Sequence, residues 1–197
     1  MTRFAGVILA GGEGKRWGGP KAWAKLPDGK SFLESCFETL AAAGAHPIVA
    51  TLPYQAEEHL IEGLVATPLA KPGLDMFASL KTGLERLVKY PDWRVVAVLP
   101  VDHPLVTAET VTALLSVEAM AAIPSFNGKH GHPIRMDREV VEEIVNGSLF
   151  GPTLREILKA TKAVDVSVDD PGVTTNCNTP EALAAALEDS TKPKTES

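Results

Sequence analysis

Short apolar runs alternate along the chain with longer stretches in which apolar residues recur at helical spacing. Residues 4–10 read as a buried strand, residues 47–52 as a second and residues 94–99 as the clearest, with Val95-Val96-Ala97-Val98-Leu99 uninterrupted. Residues 119–124, 133–136 and 164–168 are further apolar runs of strand length. Between them the spacing predicts helices over 31–43, 55–62, 75–88, 107–117, 138–146, 153–161 and 179–187. Ser31 is placed to cap the first, Glu34 three residues on completes a capping box, and Gly44 sits where helices end. In the helix at 75–88, Phe77, Leu80, Leu84 and Leu87 share one face.

Strands alternating with helices imply right-handed crossovers and a largely parallel sheet covered on both sides. The expectation is an α/β fold of three layers, mostly parallel with helices on both faces. It forms a single domain over residues 1–188, followed by a polar, disordered tail at 189–197. No internal repeat is visible. The chain has 197 residues, ample for one sizeable core, with 45% apolar and 22% charged residues.

A net charge of −6 argues against general nucleic-acid binding, which needs a basic face. No apolar run approaches the roughly 20 residues of a membrane span, and the N-terminus lacks a signal-peptide pattern. Cys36 and Cys177 form neither a metal-ligand pattern nor a disulfide framework, and read as buried free thiols. A cytoplasmic protein without membrane contact is the simplest reading.

One stretch breaks the pattern. Directly behind the first strand, Leu9-Ala10-Gly11-Gly12-Glu13-Gly14-Lys15-Arg16-Trp17-Gly18-Gly19-Pro20-Lys21 concentrates glycines and cations. Glycine lets the backbone turn tightly and approach a ligand, and lysine and arginine beside it suggest phosphate. A P-loop fails twice: Arg16 follows Gly14-Lys15, and Leu9 stands where its first glycine belongs. A dinucleotide fingerprint fails at Trp17, which replaces its last glycine. In open α/β sheets ligands sit beyond the C-terminal strand ends. The glycine loop lies there, and so does Pro100-Val101-Asp102-His103-Pro104 after the strand at 94–99, so the two loops should meet at one cleft.

The loop, read as L-A-G-G-x-G-x-R-x-G-x-x-K, resembles the signature of nucleotidyltransferases with the MobA-like NTP transferase fold, which include the guanylyl- and cytidylyltransferases of molybdenum cofactor synthesis. Val101-Asp102-His103-Pro104, Gly131-His132-Pro133 and Asn176-Cys177-Asn178-Thr179-Pro180-Glu181 extend the resemblance over nearly the whole chain. The fold it implies is a nucleotide-diphospho-sugar transferase-like Rossmann variant. The activity it implies is transfer of a nucleotidyl group from GTP or CTP to a phosphorylated acceptor, most simply molybdopterin, with release of pyrophosphate.

Carried over residue by residue, Leu9, Ala10, Gly11, Gly12, Gly14, Lys21, Ser79 and Asp102 would bind the nucleotide. Arg16, Lys21 and Asp102 would serve catalysis by stabilising charge on phosphate oxygens. His132, Asn176 and Asn178 would meet the acceptor, and Asp102 with Asn176 would hold Mg²⁺. The C-terminal motif departs from the aspartate-bearing version, so Asn176 would be a neutral partner. A molybdoenzyme or its chaperone is the implied protein partner.

Other residues have plainer readings. Lys15 and Lys25 are solvated loop charges, Asp75 a helix cap, Trp17 and Trp23 packing for the loop, and His103 and His130 ordinary loop residues. Base choice is open: Leu9-Ala10-Gly11-Gly12 resembles the guanylyltransferases, whereas Gly131-His132-Pro133 and Val168-Asp169-Asp170-Pro171-Gly172-Val173 resemble the cytidylyltransferases. A sugar- or polyol-phosphate acceptor, and a catalytically silent nucleotide-binding module, remain as alternatives.

Overall fold

The computed structural model describes residues 3–54, 56, 61–147 and 153–191. Its strands are β1 (Phe4–Leu9), β2 (Ile48–Leu52), β3 (Leu64–Pro68), β4 (Val95–Pro100), β5 (Ala121–Phe126), β6 (Lys129–His130), β7 (Ile134–Asp137) and β8 (Val164–Ser167). Its α-helices are α1 (Phe32–Ala42), α2 (Met76–Leu87), α3 (Ala108–Leu115), α4 (Arg138–Asn146), α5 (Leu154–Ala160) and α6 (Pro180–Thr191). One sheet runs in the order β3-β2-β1-β4-β7-β5-β6, with β8 also pairing β5.

Parallel pairing joins β3, β2, β1 and β4, and again β5 with β8. β7 enters antiparallel between β4 and β5. The sheet is thus mostly parallel on the side that carries the glycine loop and mixed beyond β4. Period-two alternation divides the core in two. Phe4 and Ile8 of β1 pack with α1, α3 and α6 on one face, whereas Ala5, Val7 and Leu9 pack with α2, α4 and α5 on the other. Three layers follow directly.

Three sequence expectations change, the first by two added strands, β3 and the two-residue β6. β3 is an addition, because a short, half-buried strand ending in proline and paired only with β2 lacks the uninterrupted apolar run of an inner strand. The helix expected over 55–62 falls largely on residues outside those described. At the other end α6 continues to Thr191, past the point where the tail is expected to begin. The Ser31 and Glu34 capping box forms as expected, each side chain meeting the other's backbone N–H.

The topology sets the site. From β1 the chain moves outward to β2 and β3, then returns on the other side of β1 as β4. That reversal opens a crevice between the loops that follow β1 and β4.

Candidate active site

Gly14 has φ +61, and a Cβ there would stand 1.9 Å from the Gly19 carbonyl oxygen, so only glycine fits this turn. The N–H groups of Trp17 and Gly19 both donate to the Gly14 carbonyl, which folds the loop back on itself. Trp17 anchors it: Nε1 donates to the Cys177 carbonyl at 3.1 Å, and the ring meets Phe32 edge-on at 5.3 Å. A one-turn 3-10 helix over Lys21–Trp23 then presents Lys21 to the crevice.

Three loops converge on that lysine. Lys21 Nζ donates to Asp102 Oδ2 at 2.7 Å and to Asn178 Oδ1 at 2.6 Å. Asn176 Nδ2 also donates to Asp102 Oδ2, at 3.2 Å. The backbone holds the same junction, because Val101 N–H donates to the Leu9 carbonyl and Cys177 N–H to that of Asp102. The side chains of Lys21 and Asp102 are only 18% and 16% exposed, so water screens their attraction little. Burial alone would raise the Asp102 carboxyl. The hydrogen bond and charge of Lys21 outweigh it and hold the group below its usual value.

Beside this junction lies a cavity of about 170 Å³ lined by Gly11, Gly12, Lys21, Asp75, Ser79 and Asp102, with Leu9 at its wall. Ala10 is buried behind it, its N–H tied to the Thr51 carbonyl. Ser79 is held by a 2.9 Å hydrogen bond with Thr51. Asp75 caps α2, accepting from Ala78 N–H, and still lines the cavity. Arg16 is exposed on the 3-10 turn Lys15–Trp17 and lines neither this cavity nor the next.

A second cavity of about 600 Å³ adjoins the first, since Met76 lines both. His103 and His132 form one wall, with ring centroids 4.9 Å apart, and Ile123 and Ile134 add apolar surface. Arg155 and Lys159 of α5 supply positive charge. Asn176 lines this cavity as well, whereas Asn178 does not and serves Lys21 instead.

His103 is therefore no ordinary loop residue. It is buried, and its Nδ1–H donates to the Gly172 carbonyl at 3.3 Å. Its position directly after Asp102 was the available signal. His130 is exposed and paired with Asp165, though it too borders the cavity. Nothing in the amphipathic pattern of α5 marked Arg155 and Lys159. Lys15 and Lys25 are the exposed loop charges expected, paired with Glu13 and Glu34.

Burial pushes both imidazoles below their usual values, His132 to about 4 with further help from His103. The unfolded chain would protonate His132 near pH 6.5, while the folded chain resists until about pH 4. The unfolded state thus binds more protons across that window, and stability must rise with pH through it. Thermal melts are expected to show Tm falling as pH drops from about 6.5 to about 4, and His132→Gln should flatten that dependence. An unchanged slope would show that His132 is not held neutral.

Among the described residues no group of three or more His, Cys, Asp or Glu gathers as a metal cage. The junction offers one carboxylate, Asp102, with the amides of Asn176 and Asn178. No helix among the described residues is long and apolar enough to cross a membrane.

Residues 6–166 match the model of the MobA-like NTP transferase domain. The chain belongs to this family. A probable molybdenum cofactor guanylyltransferase from Bacillus cereus (strain AH187) is 31% identical over 137 residues, covering 66% of this chain. The match spans just under two thirds of that relative, 65% of its length. The fold of this MobA-like chain is shared with Rv0371c from Mycobacterium tuberculosis H37Rv, at TM-score 0.76 and 22% identity over 95% of this chain and 98% of the other. It is shared too with 2-C-methyl-D-erythritol 4-phosphate cytidylyltransferase from Thermus thermophilus, at TM-score 0.69 and 18% identity over 95% and 98%. The chain is thus a member of a nucleotidyltransferase family, and its own glycine loop, Asp102 loop and C-terminal asparagines meet at one place.

Proposed function

We propose that this protein moves a guanylyl group from GTP to the phosphate of molybdopterin and releases pyrophosphate. The observation that carries the reading is the Lys21 ammonium, held between Asp102 and Asn178 where three loops meet at the reversal of strand order. In this reaction an acceptor phosphate oxygen attacks the α-phosphorus. A new P–O–P bond forms, the bond to the β-phosphate bridging oxygen breaks, and pyrophosphate leaves with the electron pair. The protein's task is to position two anions and stabilise their spread charge. The smaller cavity, beside Gly11, Gly12 and Lys21, suits the nucleotide; the larger, with His132 and Asn176, suits the acceptor. Arg16, exposed beside the loop and outside both cavities, would have to swing inward to meet the β- and γ-phosphates.

Magnesium fits this donor set. It binds through one or two carboxylates together with substrate phosphates; Asp102 would hold it, and Asn176, which presents Nδ2 to Asp102, would have to turn its side-chain oxygen inward to join. When bound it would neutralise charge on the triphosphate.

The curated relative's name supports guanine, and so does the loop. A methyl on Gly11 would approach Leu69 Cδ1 to 2.4 Å and Ser79 Oγ to 3.2 Å, and Leu69 is itself buried. Gly11→Ala must displace the Leu69 side chain or shift the loop and the Ser79 hydroxyl that lines the cavity. It is expected to raise KM for GTP about tenfold, measured by steady-state pyrophosphate release. No change would mean the base does not reach this wall.

The test of function is pyrophosphate release with molybdopterin and Mg²⁺, running GTP, CTP, ATP and UTP in parallel with and without EDTA. Release with GTP alone, lost with EDTA, supports the reading. Preference for CTP would move the assignment to the cytidylyltransferases. Release only with sugar or polyol phosphates would replace the acceptor, and binding without release would indicate a regulatory module.

A further inference from the structure

Asp170 lines neither cavity, yet it is 5% exposed and its two carboxylate oxygens accept hydrogen bonds from three different residues. Its Oδ1 accepts from Gly172 N–H at 2.8 Å. Its Oδ2 accepts from Thr107 N–H at 3.0 Å, from the Thr107 hydroxyl at 3.1 Å and from the Thr110 hydroxyl at 2.6 Å. Thr107 and Thr110 belong to the start of α3, Gly172 to the 3-10 turn Pro171–Val173. One buried carboxylate therefore ties two segments that are about 60 residues apart.

The turn it secures carries the histidine wall. The Gly172 carbonyl accepts from His103 Nδ1–H, and the Val173 carbonyl accepts from His132 N–H at 2.9 Å. The packing leaves no slack. A Cβ on Gly131 would stand 1.9 Å from the Val173 oxygen, and one on Gly172 would stand 2.4 Å from the Leu105 oxygen. Leu105 lies in the segment that leads from His103 into α3. Release of the turn from α3 would move both imidazoles.

We propose that Asp170 is a positioning residue for the acceptor. Through the Gly172 and Val173 carbonyls it sets the histidine wall of the larger cavity against which the acceptor's body lies. The inference rests on the assignment of that cavity to the acceptor. Lys21 and Asp102 have their own hydrogen bonds to Asn176, Asn178 and Cys177, beyond the clamped turn, so release of the turn should reach the larger cavity before the Lys21 junction.

The experiment is Asp170→Asn, which keeps the shape but replaces one acceptor oxygen with a donor. KM for molybdopterin is expected to rise about tenfold or more while KM for GTP stays within about twofold. In hydrogen–deuterium exchange, peptides spanning residues 131–136 and 171–175 should lose protection while those spanning 9–24 keep it. Thr110→Val, which removes one of the donors, should give a smaller shift of the same kind and serves if the asparagine variant does not fold. A loss of kcat with both KM values unchanged, or a parallel rise of both, would overturn the proposal. Failure of the unsubstituted protein to release pyrophosphate with molybdopterin would instead overturn the acceptor reading, and this inference with it.

Discussion

Lys21→Ala should lower kcat for pyrophosphate release by about 100- to 1000-fold, the usual cost of removing one preorganised charge-stabilising donor. The ammonium is only 18% exposed and hydrogen-bonded to Asp102 and Asn178, so it is aimed before any substrate arrives. That preorganisation distinguishes it from Lys15, which is exposed and paired with its neighbour Glu13. The same substitution removes what holds Asp102 ionised. Burial, the largest single influence on that carboxyl, would then be opposed only by His103 and a backbone hydrogen bond, and its pKa should rise. The acid limb of the pH–rate profile should therefore move to higher pH in the variant, a signature that mere loss of fold would not produce. Single-turnover release measured over pH reads both effects. A loss below about tenfold would remove Lys21 from the reaction.

Asp102→Asn is expected to cost a similar loss of about 100- to 1000-fold and, in addition, to raise the Mg²⁺ concentration needed for half-maximal rate. The amide keeps the shape and can still meet Lys21, so an effect of this size reports lost charge. Because the folded carboxyl titrates below its unfolded value, it stabilises the fold above about pH 4 and ceases to as pH falls through the folded value. The asparagine variant should lack that component of acid sensitivity in thermal melts. Equal Mg²⁺ dependence in both proteins would exclude Asp102 as a ligand. The two variants thus separate roles that the short Lys21–Asp102 contact joins.

Much of the fold is legible in the pattern of residues, for an identifiable reason. β1, β2 and β4 are buried on both faces, so they read as unbroken apolar runs, and α2 shows its core face as Leu80, Leu84 and Leu87. β3 escaped because its residues are only half-buried and carry no such run. The antiparallel insertion of β7 between β4 and β5 escaped because strand identity does not encode strand order. At the site, Gly14, Lys21, Asp102, Asn176 and Asn178 were marked by motif. His103 was underrated, since an imidazole on a loop shows its burial only when its neighbours are known. Arg155 and Lys159 were invisible, because charges on one face of a helix look alike whether they meet water or a cavity.

The sequence by itself determined the periods, the caps and the glycine turn, all of which rest on residues close together along the chain. It also determined which charged groups stand at the ends of β1 and β4. Only the tertiary structure decided what those groups meet. The Lys21–Asp102–Asn178 junction, the paired imidazoles and the Asp170 clamp each join segments distant in sequence, and the hydrogen bonds and burial that define them exist only once the sheet brings those segments together.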